Sequence, residues 1–208
     1  MGTAEALRNR HAAALNGFLH HDFFSKVADG SLDSSARDRY FVYEHRFVEQ
    51  AVVVLGHVLT KAPTTAARKH IVKMLNGLVT DQIALFDTIF EAISRQPQIM
   101  PRTVDDFCEG MIAIAREGSY EQGLAAMLAA EWTYAEVSKR LAKANIRDLL
   151  LHDWFDLHTR PGFLAGVAWL ESELDATDAV ISAADFDPVS EAFLHAIALE
   201  IDFHNAPL

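Results

Sequence analysis

The residues that could do chemistry in this 208-residue chain are polar groups set on otherwise apolar helical stripes. Between about 188 and 204, Phe193, Ile197, Glu200 and His204 follow i, i+4, i+7, i+11, one face of a helix. A carboxylate there is costly to bury unless it is hydrogen-bonded, paired or neutralised by a raised pKa, which makes Glu200 a candidate for acid–base work. The competing reading is a helix-end Glu that turns to solvent. Between about 35 and 61, Phe41, His45, Val48, Val52 and Leu55 form one stripe, with Tyr40, Glu44, Phe47 and Ala51 beside it. One of Glu44 and His45 faces inward; a lone histidine in such a stripe is more often a satisfied core residue than a ligand. Between about 119 and 144, Met127, Ala130, Tyr134, Val137 and Leu141 make a stripe with Glu131 and Trp132 flanking Ala130. The Tyr134 hydroxyl needs a partner if buried. Asp81 lies beside Met74, Leu78 and Leu85. Four helices each offering a polar group to one interior is a stronger signal than any one stripe, because bundle cores are where such folds build sites. We expect Glu200, Tyr134 and His45 to converge on one enclosed cavity.

Other chemistries leave little trace. Glu44, Asp81, Glu131 and Glu200 could supply oxygens to a metal, and His152 and Asp156 stand four apart, but the Glu-x-x-His pairs of di-iron bundles are missing. No metal and no cofactor is expected. There is no glycine-rich phosphate loop, Cys-x-x-Cys, His-Glu-x-x-His or nucleophile elbow. His20-His21 reads as a surface or helix-end feature.

The elements that must position these groups are helical throughout, with no convincing period-2 segment. Helices are expected over about 4–27, 35–61, 65–95, 103–117, 119–144, 146–158, 161–182 and 188–204. Thr103 with Asp106 and Ser119 with Gln122 have capping-box spacing, and Asp187-Pro188 reads as an N-cap followed by proline. Gly30, Gly118 and Asn145 are candidate left-handed C-caps, and Pro63, Pro97 and Pro101 punctuate the connections. Short connections imply antiparallel neighbours in an all-α, single-domain bundle over 1–208.

The formal charge of −11, from 18 basic and 29 acidic residues, repels phosphate backbones and anionic membrane surfaces, so nucleic acid and membrane are not expected as partners. No apolar run approaches the roughly 20 residues of a membrane span. Residues 1–10 carry charges where a signal peptide needs an apolar region. The single cysteine, Cys108, excludes an intrachain disulfide. A soluble cytoplasmic protein is the expectation.

The order of these elements resembles the TenA/THI-4 family (thiaminase II, TENA/THI-4/PQQC), within the heme-oxygenase-like helical fold. The likeness begins at Phe18-Leu19, Gly30 and Leu32 and continues through Tyr40-Phe41-Val42-Tyr43-Glu44-His45-Arg46-Phe47-Val48. Gly118 and Leu124 to Tyr134 follow, then Trp154 four residues before His158, Phe163, and Glu200-Ile201-Asp202-Phe203-His204, similar to a terminal Glu-x-x-Phe-Trp. The resemblance implies hydrolysis of the bond joining a 4-amino-5-methylpyrimidine to its leaving group, in thiamin salvage. It further implies a deep aromatic-walled pocket, a nucleophilic Cys, an Asp on the amino-pyrimidine edge and a proton-moving Glu near the C-terminus.

Carried onto this chain, the terminal Glu falls on Glu200 and a pocket Tyr on Tyr134. The nucleophilic Cys falls on Ala130, which has no nucleophile, and the substrate-holding Asp on His45; other pocket tyrosines appear as Phe107 and Leu151. Without a thiolate the usual covalent route is lost. Glu131, next to the vacant position, could act as general base on water, whereas Cys108 is turned about 100° from Phe107. The expected site has Glu200 and Glu131 as catalytic carboxyls, with His45, Tyr134, Phe107, Phe47, Glu44 and Asp81 around an aminopyrimidine-like ligand. A metal-dependent or cofactorless oxidase and a non-catalytic ligand-binding protein are the alternatives, and the resemblance implies a homodimer or homotetramer.

Overall fold

The computed structural model describes residues 2–93, 99–144, 146–177 and 183–208, which are helical with no strand among them. In chain order the helices are α1 (Thr3–Arg10), α2 (Ala12–Leu19), α3 (Asp22–Asp29), α4 (Ser34–Lys61), α5 (Thr65–Gly77), a π-helical turn (Leu78–Gln82), α6 (Ile83–Ala92), α7 (Arg102–Glu117), α8 (Tyr120–Leu141), α9 (Leu149–Leu157), α10 (Pro161–Ala176) and α11 (Ala183–Asn205). This is the expected all-α bundle.

α8 is its axis. The segment Gly123-Leu124-Ala125-Ala126-Met127-Leu128-Ala129-Ala130 is buried, and its small residues let neighbours approach from all sides. A Cβ on Gly123 would meet Val58 Cγ2 at 2.9 Å, which marks how closely α4 closes on α8. α7, α10 and α11 also pack along it, and α2, α3 and α9 touch it. α8 starts where expected: Ser119 accepts from the Gln122 N–H at 3.2 Å while Gln122 Oε1 accepts from the Ser119 N–H at 2.8 Å, both halves of a capping box. Gly30 is the expected left-handed cap, with φ 74°.

Several expectations are corrected. The first helix is three, broken at His11 and at His20–His21, which lets successive pieces pack on α10, on α8 and α11, and on α8. His21 caps α3, its ring nitrogen accepting from the Phe23 N–H at 3.1 Å. The helix expected from 65 is interrupted by the π-helical turn. Thr103 is no cap: α7 begins at Arg102 after Pro101, and Asp106 instead pairs with Arg102 at 2.7 Å. Gly118 ends α7 in an extended conformation, ψ 179°, rather than a left-handed one. α11 runs through Pro188, forgoing one i→i−4 bond, and Asp187 pairs with Arg10 at 2.7 Å. Asn145, Pro97, and the expected helix ends at 94–95 and 178–182 lie outside the described residues.

Candidate active site

Five helices and the π-helical turn line a small chamber in the core. It is lined by Glu44 and Phe47 of α4, Leu78 and Gln82 of the turn, Ala130, Glu131 and Tyr134 of α8, Trp154 of α9 and Glu200 of α11, with His158 and Phe163 closing it. Its volume is about 30 Å³, room for roughly one water and not for an aromatic ring. Leu78, Gln82, Glu131 and Phe163 also line an outer cleft of about 380 Å³. Those four residues therefore form a wall common to chamber and cleft. Beyond it the cleft is bounded by Lys73, Arg160 and the stacked rings of His70 and Trp169, 5.2 Å apart and 5° from parallel.

The structure brings some of the expected site residues together and leaves others apart. Glu200, Tyr134, Glu131, Phe47 and Glu44 line the chamber. His45 does not: it packs edge-on against Phe86 and Phe90 at 5.0 and 5.1 Å, near Glu49. Neighbouring helical residues point about 100° apart, so turning Glu44 inward takes His45 away from the chamber. The expected convergence of Glu200, Tyr134 and His45 fails at His45; Glu44 lines the chamber with Glu200 and Tyr134. Phe107 is fully buried but stands behind Phe47, stacked on it at 4.0 Å. Asp81 is exposed and lines the outer cleft alone, because the π-helical turn shifts the register and turns Gln82 inward. Cys108 is buried away from the chamber, its thiol pushed up to about 12 by burial.

Gln82, Trp154 and His158 are chamber residues that the hydrophobic pattern missed. Trp154 and His158 stand in the resemblance motif, but their apolar surroundings carry no polar-in-core signal. Gln82 had none, since its inward turn depends on the π-helical register.

A hydrogen-bond network backs the chamber. Trp154 Nε1 donates to the Tyr40 hydroxyl at 2.8 Å, and the Tyr40 and Tyr134 hydroxyls are 3.0 Å apart. The Tyr134 hydroxyl lies 2.5 Å from Glu44 Oε1 and 3.0 Å from His204 Nε2. His204 Nδ1 in turn donates to the Glu200 backbone carbonyl at 2.7 Å, and His158 Nδ1 to that of Trp154 at 2.7 Å. Among the described residues three buried side-chain oxygens have no hydrogen-bond partner: Ser138 Oγ and, at the chamber, Glu44 Oε2 and Glu200 Oε2, the last 3.6 Å from His204 Nδ1. Such orphans are expensive, and a ligand or water in the chamber is the obvious way to satisfy the two carboxyl oxygens.

Burial dominates the electrostatics. It pushes Glu44 up to about 8, against the opposing effect of the Tyr134 hydrogen bond, and half-buried Glu131 to about 7. Glu200 is raised well above the carboxylate range by burial, then by the nearby charges of Glu44 and Glu131. Burial lowers His158 to about 4 and His204 to about 3, so both rings are neutral. Three carboxyls line one small chamber, so they are not all ionised at neutral pH.

A sequence model of the TENA/THI-4/PQQC family matches residues 8–208. The chain is 25% identical over 196 residues to the thiamine biosynthesis multifunctional protein ThiED of Corynebacterium efficiens, covering 92% of this chain and 26% of that protein. It thus spans about a quarter of the length of that relative. Among solved structures it is similar to a TenA homologue from Pyrococcus furiosus, with TM-score 0.93 and 15% identity, covering 99% of this chain and all of the other. It is also similar to a TenA family transcription regulator from Silicibacter sp. TM1040, with TM-score 0.88 and 21% identity over 99% of this chain and 96% of the other. At these identities the structural likeness shows the fold.

Proposed function

The chain belongs to the TENA/THI-4/PQQC family, and from that premise we propose that it binds an aminopyrimidine-like molecule and hydrolyses a C–N bond in it without a covalent cysteine step. The observation that carries this reading is the pair of unpartnered buried oxygens, Glu44 Oε2 and Glu200 Oε2, on one chamber lined by Phe47, Trp154 and Phe163. Aromatic walls suit a flat heterocycle, Glu44 Oε2 suits its amino group and Glu200 Oε2 the departing nitrogen. The role that the resemblance assigned to His45 passes to Glu44.

Glu131, near 7, is ionised in part at neutral pH and can take a proton from water. The water oxygen attacks the carbon bearing the leaving nitrogen. Glu200, which keeps its proton, donates it to the departing amine as the C–N bond breaks. One C–O bond forms, one C–N bond is lost, and a proton returned from Glu131 to Glu200 resets the pair. Because the chamber is too small for a ring, the ligand enters from the outer cleft and displaces the common wall of Leu78, Gln82 and Phe163.

Release of amine from an aminomethyl-pyrimidine tests this, followed in the parent and in Glu200→Gln. The expected result is turnover in the parent and its abolition in the variant. Undiminished turnover in Glu200→Gln removes Glu200 from the mechanism. Ala130, where the family's thiolate stands, favours one second reading: calorimetric binding without turnover would make the chain a non-catalytic ligand-binding protein. The same resemblance supports a homodimer or homotetramer, which light scattering on the purified protein tests.

A further inference from the structure

We propose that His204 fixes the direction of the buried hydrogen-bond chain so that Glu44 faces the chamber as a neutral carboxylic acid, making His204 a positioning residue that sets which ligands the site accepts.

The inference is a proton count. The Glu200 carbonyl can only accept, so the His204 Nδ1 lying 2.7 Å from it carries hydrogen. In the neutral ring Nε2 is then bare, and the hydroxyl of Tyr134 at 3.0 Å is its donor. Tyr134 has one hydroxyl hydrogen. Once it points to His204, the contact of 2.5 Å with Glu44 Oε1 requires the hydrogen to sit on Glu44. Tyr40 accepts from Trp154 and donates to Tyr134 at 3.0 Å. Every hydrogen then has an acceptor and Tyr134 accepts two bonds, its full capacity.

The alternative leaves a fault. If Glu44 were ionised beside a neutral His204, Tyr134 would donate to it, and the Tyr134 oxygen and His204 Nε2 would face each other 3.0 Å apart as two acceptors. A charged His204 would escape this fault only as an imidazolium fully buried among Phe18, Phe23 and Phe24, at centroid distances of 5.2, 5.5 and 4.8 Å, with the Glu200 carboxyl 3.6 Å from Nδ1. The remaining groups around Glu44 do not favour its charge. Those that face the chamber from the packed elements are Glu131 and Tyr134 of α8, Glu200 of α11, His158 beyond α9 and Gln82 of the turn, with no Lys or Arg among the described lining residues. The directions of titration agree: burial raises Glu44 and lowers His204.

A neutral Glu44 with its proton committed to Tyr134 presents Oε2 as a carbonyl oxygen. It takes one hydrogen bond from a ligand N–H and demands no positive charge. The site therefore selects an uncharged heterocycle with an amino donor over a cationic one. That ligand class rests on the aminopyrimidine reading; the proton order does not.

Glutamine is the isostere of the neutral acid, its amide N–H replacing the carboxyl O–H. Three variants decide the matter: Glu44→Gln, His204→Phe, and His204→Gln, which keeps an acceptor. Infrared pH titration should show a protonated-carboxyl band in the parent at neutral pH that is missing in Glu44→Gln. His204→Phe frees the Tyr134 hydroxyl to stabilise ionised Glu44, so the band should be lost at least about one pH unit lower. His204→Gln should titrate like the parent. Glu44→Gln keeps an acceptor in place of Oε2 and should still bind an aminopyrimidine that the parent binds. Absence of the band in the parent, an unshifted titration in folded His204→Phe, or failure of Glu44→Gln to bind a ligand that the parent binds would overturn the proposal. Should His204→Phe not fold, nitrogen chemical shifts of His204 in the parent decide: hydrogen on Nε2 rather than Nδ1 overturns it. The expected band and shifts without any aminopyrimidine binding would sustain the proton order and sink the functional reading instead.

Discussion

Phe47 and Phe107 stack with ring centroids 4.0 Å apart and planes 20° from parallel, and only Phe47 reaches the chamber. Phe107, with Phe203 5.1 Å behind it, is the backing that holds the wall in place. Phe107→Ala should cost about 3–5 kcal/mol of stability, the usual range for a fully buried ring. Half-buried Phe47 should cost less when truncated, and its loss should show in ligand affinity. Urea unfolding of both variants separates the roles; a cost below about 1 kcal/mol for Phe107→Ala would mean that the core closes over the gap.

What was legible in the sequence was local. Ser119 and Gln122 stand three apart and cap one another. Glu200 and Tyr134 sit on stripes whose neighbours are all buried. The choice between Glu44 and His45 was not legible, because adjacent residues on a broad apolar face both look inward until a neighbour is packed against them. Asp81 was misread for a different reason: periodicity assumes 3.6 residues per turn, and the π-helical turn Leu78–Gln82, which holds both Asp81 and Gln82, breaks that count. The network behind the chamber joins Tyr40 to Trp154 across 114 residues of sequence, and no spacing rule reaches that far.

Stability should peak in the weakly acidic range. Folding raises Glu44 and Glu131 from 4.5 to about 8 and about 7. The folded state therefore binds more protons than the unfolded one above pH 4.5, and stability falls as pH rises through that window. Folding lowers His158 and His204 from 6.5 to about 4 and about 3. There the unfolded state binds more protons, and stability falls as pH drops. The two effects oppose each other between 4.5 and 6.5. Above 6.5 the carboxyls act alone, each with a slope of at most about 1.4 kcal/mol per pH unit, and less for half-buried Glu131. The urea midpoint should fall from pH 6.5 to 8, and Glu44→Gln should flatten that fall. A rising midpoint over this range would contradict the assignment.

Duplex DNA should not be a partner, whatever a structural neighbour is called. A net charge of −11 opposes a phosphate backbone. Gel-shift titration near physiological salt should show no more than weak, non-specific association. Sequence-specific binding at nanomolar protein would refute the electrostatic argument.

Thiamin should be a poor substrate, and one substitution should improve it. Ala130 lines the chamber beside Glu131 and four residues before Tyr134, the position where the resemblance places a nucleophilic sulfur. With a methyl there, no covalent intermediate can form, and attack rests on water alone. A good leaving group gains little when the nucleophile is weak. Ala130→Cys adds one heavy atom to a chamber of about 30 Å³, so it should be tolerated. A thiol there, next to a carboxyl near 7 that can act as its base, should raise the rate of thiamin cleavage. His45→Asp, by contrast, lies away from the chamber against Phe86 and Phe90 and should leave both substrates unchanged. Turnover of thiamin and of its aminomethyl-pyrimidine fragment in the parent and both variants provides the measurement. Efficient thiamin cleavage by the parent would show that the missing sulfur does not matter. An effect of His45→Asp alone would show that position 45 reaches the ligand after all.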